Sequence, residues 1–360
     1  MIQHVHKVSI KDYRPPQFEV LNIRLNIDIR LGVTQVTQTS VWRRLGQETK
    51  ALVLNGKNLK LLSLKVNGQP HEDVKVHENG LSIESLGAEF ILEIVTEIYP
   101  EKNFSCEGLY YSGKTYLTQC EAEDFRRITY FLDRPDVLTF YEVRIEADRA
   151  KNPILLSNGH LVKEEDLGNG RHAAIWKDPF KKPCYLFAMV AGDMGCLEDQ
   201  YETLTGRKIL LKIYSPHGTQ HLCHFAMESL KRSMRWDEET FGLEYDLDLY
   251  MIVVTDDFNG GAMENKGLNI FHTRYVFADQ KIATDAAFIG VESVIAHEYF
   301  HNYSGNRVTC QNWFHLSLKE GLTVFRDQEF SADMWNRGVI RQTQVRGLIE
   351  RQFAEDGGPN

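Results

Sequence analysis

The sequence predicts an α+β chain of two domains. Its 360 residues exceed the size at which one hydrophobic core usually stops growing. Apolar and polar residues alternate with period two through the first half, whereas the second half has the periodicity of amphipathic helices. Because the pattern changes near Gly192, we predict an N-terminal antiparallel β-domain over residues 1–192 and a second domain over residues 193–360.

The β-domain is predicted from short apolar runs separated by turns. The first run places six apolar side chains on one face of a strand: Leu21, Ile23, Leu25, Ile27, Ile29 and Leu31. Similar runs lie at residues 60–66, 90–98, 139–147 and 185–190, and Asn-Gly pairs at 67–68, 79–80 and 158–159 supply turns. This pattern is typical of an antiparallel sandwich or saddle.

The second domain is predicted to contain both strands and helices. The runs KILLKIYSP (208–216) and LDLYMIVV (247–254) are predicted strands. One helix is predicted over residues 221–242, where Gly242 ends it, and another from a cap at Thr284 or Asp285 to near Gly305. A third helix is predicted over LSLKEGLTVFRDQEFSADM, residues 316–334.

Composition limits the partners and the location of the protein. The formal net charge of −9 argues against nucleic acids and anionic membranes as partners. The start, MIQHVHKVSIKDYRPP, has no apolar signal-peptide core, and no stretch approaches the ~20 apolar residues of a membrane span. The six cysteines include no CxxC pair, which favours free thiols in a reducing compartment. We therefore predict a cytoplasmic protein.

The segment ESVIAHEYFHNYSGNRV (292–308) places two histidines and a glutamate within an apolar run. Burying His297, Glu298 and His301 is unfavourable unless a partner compensates them. On an α-helix, residues four apart lie ~6 Å apart in rise and close in azimuth, so the two imidazoles point to one place. Such HExxH pairs bind zinc, and Glu298, one step round the helix, is the candidate general base.

A catalytic zinc ion usually has a third protein ligand. A histidine six residues after His301 is one arrangement, but Arg307 occupies that position. The alternative is Glu320, which 18 residues separate from His301, enough for a loop and the start of a second helix. Gly321 is expected to let the two helices approach closely. Asp327, on the same predicted face as Glu320, either orients a ligand or is an ordinary solvated or capping carboxylate.

The segment DDFNGGAMENKGLNIF (256–271) is the second unusual stretch. Gly260 and Gly261 permit close approach of another backbone, so a strand edge here can bind an extended peptide. Glu264 is a candidate partner for an ammonium group. The alternative is a glycine turn with solvated charges.

Together these motifs resemble those of the aminopeptidase N family of zinc exopeptidases, which are gluzincins. The resemblance is carried by GAMEN (261–265), HEYFH (297–301), Glu320, KEGLTVFRDQEF (319–330) and DYRPPQF (12–18), and it spans essentially the whole chain. It implies a saddle-like β-domain followed by a thermolysin-like catalytic domain that is incomplete at its C-terminus in this chain.

The resemblance also implies residue roles. It implies one zinc ion per chain with His297, His301 and Glu320 as ligands, and Glu298 as the general base toward a zinc-bound water. Glu264 would bind the α-amine of the substrate, and a QxE segment of the β-domain would assist it. The implied substrate-binding set is Gln119, Glu121, Gly261, Ala262, Met263, Glu264 and Asn265. Gly260 stands where relatives often hold a larger apolar residue, so the preference of the first side-chain pocket stays open.

The predicted function is therefore zinc-dependent removal of the N-terminal residue from peptides with a free N-terminus. A thermolysin-like endopeptidase shares the zinc motif but needs no amine-binding carboxylates. A non-catalytic zinc-binding fragment is the second alternative. The sequence leaves the oligomeric state open, with a monomer favoured.

The end of the chain bears on activity. The resemblance implies an oxyanion-stabilising tyrosine several dozen residues beyond the glutamate ligand. This chain has no tyrosine after Tyr303 and ends at EDGGPN, 40 residues past Glu320. We therefore expect a chain truncated within the catalytic domain, with impaired hydrolysis. In the alternative, His315 or Tyr275 serves as the donor.

Overall fold

Strands dominate the first of two units in a computed structural model of this chain, which describes residues 8–46 and 50–358. The first unit runs to Asp193 and also includes Thr309–Ser317, and the second comprises Met194–Val308 and the residues from Leu318 onward. Part of the MIQHVHKVSIKDYRPP start and the last two residues of the EDGGPN ending lie outside the described residues.

The strands of the first unit form three sheets among the described residues. The strands are β1 (Phe18–Arg30), β2 (Val33–Arg44), β3 (Leu52–Asn55), β4 (Lys60–Val66), β5 (Gln69–Pro70), β6 (Val74–His77), β7 (Gly80–Ile83), β8 (Glu89–Ile98), β9 (Gly108–Ser112), β10 (Thr115–Gln119), β11 (Phe140–Asp148), β12 (Ile154–Ser157), β13 (His160–Gly168), β14 (Arg171–Lys177) and β15 (Met189–Gly192). The sheet orders are β13-β14-β11-β1-β2-β8-β4-β5, β12-β15-β10-β9 and β3-β7-β6.

Strand β1 confirms the period-two pattern in its middle and departs from it at both ends. Side chains from Ile23 to Ile29 alternate between buried and more exposed positions, as predicted. Leu21 is only half-buried, because the pairing register with β2 shifts between Val20 and Asn22. Leu31 was predicted on the buried face and is 86% exposed, because the strand has already ended at a turn.

The antiparallel prediction holds for the described strand pairs of this unit except one. Strand β1 pairs with β11 in parallel. Parallel neighbours need a long crossover, and the chain between these strands supplies one. The predicted strand at residues 185–190 is also corrected, since Cys184–Leu186 forms a 3₁₀ turn and β15 begins only at Met189.

The second unit combines one mixed sheet with helices. Its strands are β16 (Gly195–Glu202), β17 (Lys208–Ser215), β18 (Leu249–Thr255), β19 (Ala262–Met263) and β20 (Leu268–His272). Their order is β16-β17-β18-β20-β19, so the two-residue strand β19 lies at an edge. The helices are α1 (His224–Phe241), α2 (Asp285–Phe300), α3 (Leu316–Met334), α4 (Arg337–Gly347) and α5 (Phe353–Asp356).

Local signals set the ends of these helices. Gly242 ends α1 in the left-handed conformation with φ of 67°, as its position in the sequence predicted. The Thr284 hydroxyl accepts a hydrogen bond from the Ala287 amide and caps α2. Helix α2 ends at Phe300, earlier than predicted, and Gly305 lies in the turn beyond it.

Short helical turns complete the secondary structure. The 3₁₀ turns are Ile10–Asp12, Pro100–Lys102, Phe125–Arg127, Cys184–Leu186, Gln220–Leu222, Thr273–Tyr275 and Trp313–His315, and Leu348–Gln352 forms a π-helical turn. Within the described ranges, we find no helix with the length and apolar character needed to cross a bilayer.

The glycine of the Asn158–Gly159 turn provides a test of the first unit. Gly159 has φ of 87°, and a Cβ atom there would lie 2.1 Å from the Lys177 carbonyl oxygen. Gly170 has φ of 75°, but a Cβ atom there meets nothing within 4 Å. We predict that Gly170→Ala lowers the free energy of unfolding by about 1–2 kcal/mol. Gly159→Ala should lower it by a further ~1–3 kcal/mol because the backbone must move. Denaturant titration of both variants checks this, and equal losses would contradict it.

Candidate active site

The end of α2 and the first turns of α3 bring together one atom from each of the three predicted metal ligands. The Nε2 atoms of His297 and His301 lie 3.0 Å apart. The Oε2 atom of Glu320 lies 3.5 Å from His297 Nε2 and 3.3 Å from His301 Nε2. The three predicted ligands therefore form a nearly equilateral triangle of donor atoms.

This triangle fits a zinc ion. Zn–N and Zn–O bonds of ~2.0–2.1 Å at a tetrahedral angle place two ligand atoms roughly 3.3–3.4 Å apart. The other ring nitrogens already face acceptors: His297 Nδ1 lies 2.6 Å from Asp327 Oδ2, and His301 Nδ1 lies 2.8 Å from the Ser304 carbonyl oxygen. If each Nδ1 carries the proton, both Nε2 atoms direct lone pairs at each other, an arrangement that a cation stabilises.

Asp327 is not the solvated carboxylate of the alternative, and its orienting role stays a prediction. It lies on α3, is buried, and contacts His297 Nδ1. Although burial alone would lower the pKa of His297, the hydrogen bonds to Asp327 and Glu320 raise it well above its usual value. Burial raises the pKa of Asp327, and His297 opposes that shift.

Glu298 lies beside the triangle as a buried carboxyl group. Its Oε2 atom has no hydrogen-bond partner within the described part of the chain. Burial raises the pKa of Glu298 to about 8, and the carboxylates of Glu264 and Glu320 act in the same direction. Carboxylate oxygens of Glu298 and Glu264 lie within 4.8 Å of each other and of a ring nitrogen of His301. The side chain is therefore placed for proton transfer next to the ligand triangle.

The GAMEN segment forms the edge strand of the five-stranded sheet. Ala262 pairs with Phe271 and Met263 with Ile270 in antiparallel register, and the Gly261 carbonyl accepts a hydrogen bond from the His272 amide at 3.0 Å. Its other side lacks a strand partner within this sheet as described. Such an edge can pair with an extended peptide.

The backbone of this segment is held by its neighbours at two residues. A Cβ atom at Gly261 would lie 2.8 Å from the Tyr275 ring, so only glycine fits this ring placement. Asn265 is fully buried, and its carbonyl accepts hydrogen bonds from the Leu268 amide and the Asn269 side chain. These contacts fix the backbone on both sides of Glu264.

Lys319 is a charged member of the site that the sequence analysis missed. Its ammonium group contacts Glu264 Oε1 and lies 2.9 Å from Glu320 Oε1. Burial alone would raise the pKa of Glu264, but Lys319 and His301 hold it below its usual value. The ammonium partner expected for Glu264 is therefore already supplied in part by the chain itself. The position of this lysine next to Glu320, the predicted zinc ligand, was the available signal.

The predicted QxE residues lie in the first unit. Gln119 is the last residue of β10 and donates a hydrogen bond from Nε2 to the Glu121 carbonyl at 3.3 Å. Both side chains are half-buried. This contact orders the segment locally.

The role predicted for Gly321 is wrong. A Cβ atom at Gly321 meets nothing within 4 Å, and the residue is exposed. Close approach of α2 and α3 does not depend on it. Polar side chains of α3 make the contact instead, because Thr323 and Arg326 hydrogen-bond to residues at and beyond the end of α2.

Comparisons with known proteins agree with this geometry. A model of the peptidase M1 N-terminal domain matches residues 14–186, and a model of the peptidase family M1 domain matches residues 225–359. In the solved structures, aminopeptidase A of Legionella pneumophila in complex with aspartic acid superposes with a TM-score of 0.90 at 35% identity, over 93% of this chain and 40% of that one.

Curated relatives show the same similarity in sequence. Aminopeptidase N of Escherichia coli (strain K12) is 53% identical over 348 residues, which cover 97% of this chain and 40% of that protein. Aminopeptidase N of Haemophilus influenzae is 51% identical over 352 residues, with the same two coverages. This chain thus spans about 40% of the length of these relatives. With both family models matched along its length, the chain belongs to peptidase family M1.

Proposed function

We propose that this chain carries the metal site of a zinc-dependent aminopeptidase, which removes the N-terminal residue from peptides. The observation that carries the proposal is the triangle formed by His297, His301 and Glu320, with sides of 3.0, 3.3 and 3.5 Å. The names of the similar proteins support the reaction class.

The residues around the triangle define the proposed chemistry. A bound zinc ion supplies a Lewis acid that polarises a carbonyl and lowers the pKa of water toward ~7. Beside the proposed ligands, Glu298 has a carboxylate oxygen with no hydrogen-bond partner among the described residues, so it can accept a proton and later return it to the leaving amine. Asp327 and the Ser304 carbonyl keep the two imidazoles directed at the metal.

Substrate register is proposed to come from Glu264 and the edge strand β19. The edge offers backbone groups to an extended peptide, while Glu264 offers a buried carboxylate for the N-terminal ammonium. Lys319 shares that carboxylate, so a substrate amine must bind alongside it or displace it. A thermolysin-like endopeptidase would not need this carboxylate, because it does not bind the N-terminal amine of its substrate.

Several features stay predictions. They are the roles of Gln119 and Glu121 at the amine, the absence of nucleic acid and membrane partners, the monomeric state and the cytoplasmic location. The six described cysteines are free thiols, which is compatible with that location.

The first prediction separates metal binding from proton transfer. His297→Ala should weaken zinc binding by more than ~100-fold, because losing even a hydrogen-bond partner of a ligand typically weakens it by ~10–100-fold. Glu298→Gln should keep zinc and lower peptide hydrolysis by ~10²–10⁴-fold, because a base is lost but no ligand. Elemental analysis and chelator competition measure zinc. A parent protein that takes up no zinc after supplementation would refute the metal site.

The second prediction concerns the amine. The parent should hydrolyse free peptides far faster than N-acetylated ones. Glu264→Gln should raise KM for free peptides by roughly 10–100-fold, because a hydrogen bond to a charged group is worth about 1.5–3 kcal/mol.

Two matched variants sharpen this test. Glu239→Gln, on the exposed side of α1, controls for loss of a carboxylate. Glu121→Gln separately tests the role implied for the QxE segment. Equal rates on free and acetylated peptides would favour the endopeptidase instead.

The third prediction concerns the extent of chain needed for hydrolysis. These 360 residues alone should hydrolyse an alanyl substrate ~10²–10³-fold more slowly than a longer polypeptide that includes them, because an oxyanion donor typically contributes that factor. Rates are compared at equal zinc occupancy. Equal turnover would show that every necessary donor lies within this sequence.

A further inference from the structure

The direction of His301 depends on a carbonyl group beyond the end of α2. His301 is buried, and its Nδ1 atom lies 2.8 Å from the Ser304 carbonyl oxygen. A carbonyl can only accept, so Nδ1 must carry the proton, and Nε2 keeps the lone pair that a metal needs. The position of this one carbonyl therefore decides which tautomer His301 presents to the site.

The backbone next to Ser304 packs closely against the His301 ring. Gly305 has φ of 142°, and a Cβ atom there would lie 2.9 Å from His301 Nδ1. The Gly305 amide donates to the Val308 carbonyl at 2.9 Å, which closes a tight turn. The turn thus places Ser304 against the imidazole ring of His301.

Thr323 of α3 holds this turn from the other side. Its hydroxyl lies 3.1 Å from the Ser304 carbonyl oxygen, 2.7 Å from Ser304 Oγ and 3.2 Å from His301 Nδ1. Thr323 is fully buried, so no solvent competes for these contacts. One hydroxyl therefore touches both the ring nitrogen and the carbonyl that orients it.

Arg326, one turn further along α3, ties the same segment to α1. Its Nη1 donates to the Phe300 carbonyl at 2.8 Å and to Ser304 Oγ at 3.2 Å, and its Nη2 donates to Asp237 Oδ1. Arg326 and Asp237 are both buried. A buried guanidinium is retained only when its donors are matched, and here they are matched by the end of α2 and by α1.

We propose that Thr323 and Arg326 are positioning residues, which hold the Ser304 carbonyl against His301 Nδ1 and so set the tautomer and direction of His301 toward a divalent cation. This inference rests on the metal site of the proposed function. It assigns Thr323, Arg326 and Ser304 to the site, although none of them reaches the cation.

The test replaces Thr323 with valine, which removes the hydroxyl group and keeps the shape of the side chain. Thr323→Val should weaken Zn²⁺ binding by ~10–100-fold in chelator competition, the effect typical of residues that orient a ligand. Thr323→Ser keeps the hydroxyl and should bind Zn²⁺ like the parent. Thr343→Val, on the exposed face of α4, is the control for the same change in a helix.

A spectroscopic measurement separates positioning from a general loss of stability. Co²⁺ is bound in place of Zn²⁺, and the visible absorption of the folded protein reports the ligand geometry. Thr323→Val should change the band positions, whereas Thr323→Ser and Thr343→Val should leave them unchanged. If Thr323→Val does not fold, Ser304→Ala is used, because it keeps the carbonyl but loses the hydroxyl contacts to Thr323 and Arg326.

The outcomes separate the two proposals. Parent-like affinity and spectrum in Thr323→Val, or in a folded Ser304→Ala when the first does not fold, would overturn the positioning role and leave the metal site standing. A parent that binds neither Zn²⁺ nor Co²⁺ would overturn both. Loss of affinity with a changed spectrum, restored in Thr323→Ser, is the expected result.

Discussion

The structure of the second unit is organised around the convergence of three lone-pair donors on one point. The Nε2 atoms of His297 and His301 face each other at 3.0 Å, and a carboxylate oxygen of Glu320 completes the triangle. Side chains converge in this way only when further contacts fix their orientation. Those contacts are made at the opposite ring nitrogens, by Asp327 and by the Ser304 carbonyl. These two contacts direct both imidazoles toward the point where the three donors converge.

Helix α3 supplies Asp327 for the first of these contacts and Thr323, which touches the Ser304 carbonyl, for the second. Glu320, Thr323, Arg326 and Asp327 recur at helical spacing and turn toward α2 or the segment after it, and Lys319 contacts Glu264. Its apolar residues Leu318, Leu322 and Phe325 are 66%, 48% and 55% exposed. Packing of α3 against α2 thus combines hydrogen bonds and ion pairs of defined geometry with apolar contact between the Phe300 and Phe330 rings. The polar contacts specify a rotation and a register, which apolar contact alone does less strictly.

Prediction from the sequence succeeded where a feature depends on spacing along one element. The four-residue separation of His297 and His301, the stop at Gly242 and the alternation within β1 are all local, and the structure agrees with each. It failed where a residue acts through a neighbour brought near by folding. Lys319, Thr323 and Arg326 look like ordinary helix residues until α3 meets α2. Gly321 was assigned a role from its chain position, but it lies on the exposed side. The prediction for Leu31 was wrong because β1 ends at Arg30, one residue before the end of the alternating apolar pattern.

The site contains more carboxyl groups than basic groups. Three buried carboxyl groups, Glu264, Glu298 and Asp327, and the half-buried Glu320 are opposed by one buried ammonium, Lys319, and two imidazoles. Burial is the main cause of the raised pKa of Glu298, and Glu264 and Glu320 add to it, whereas hydrogen bonds to Asp327 and Glu320 raise the pKa of His297. The divalent cation proposed for the triangle would add positive charge among these carboxylates. Lys319 holds Glu264 in its charged form beside the triangle. In the proposed function, the metal cation at the triangle and the peptide ammonium group at Glu264 would therefore be attracted by one set of neighbouring carboxylates.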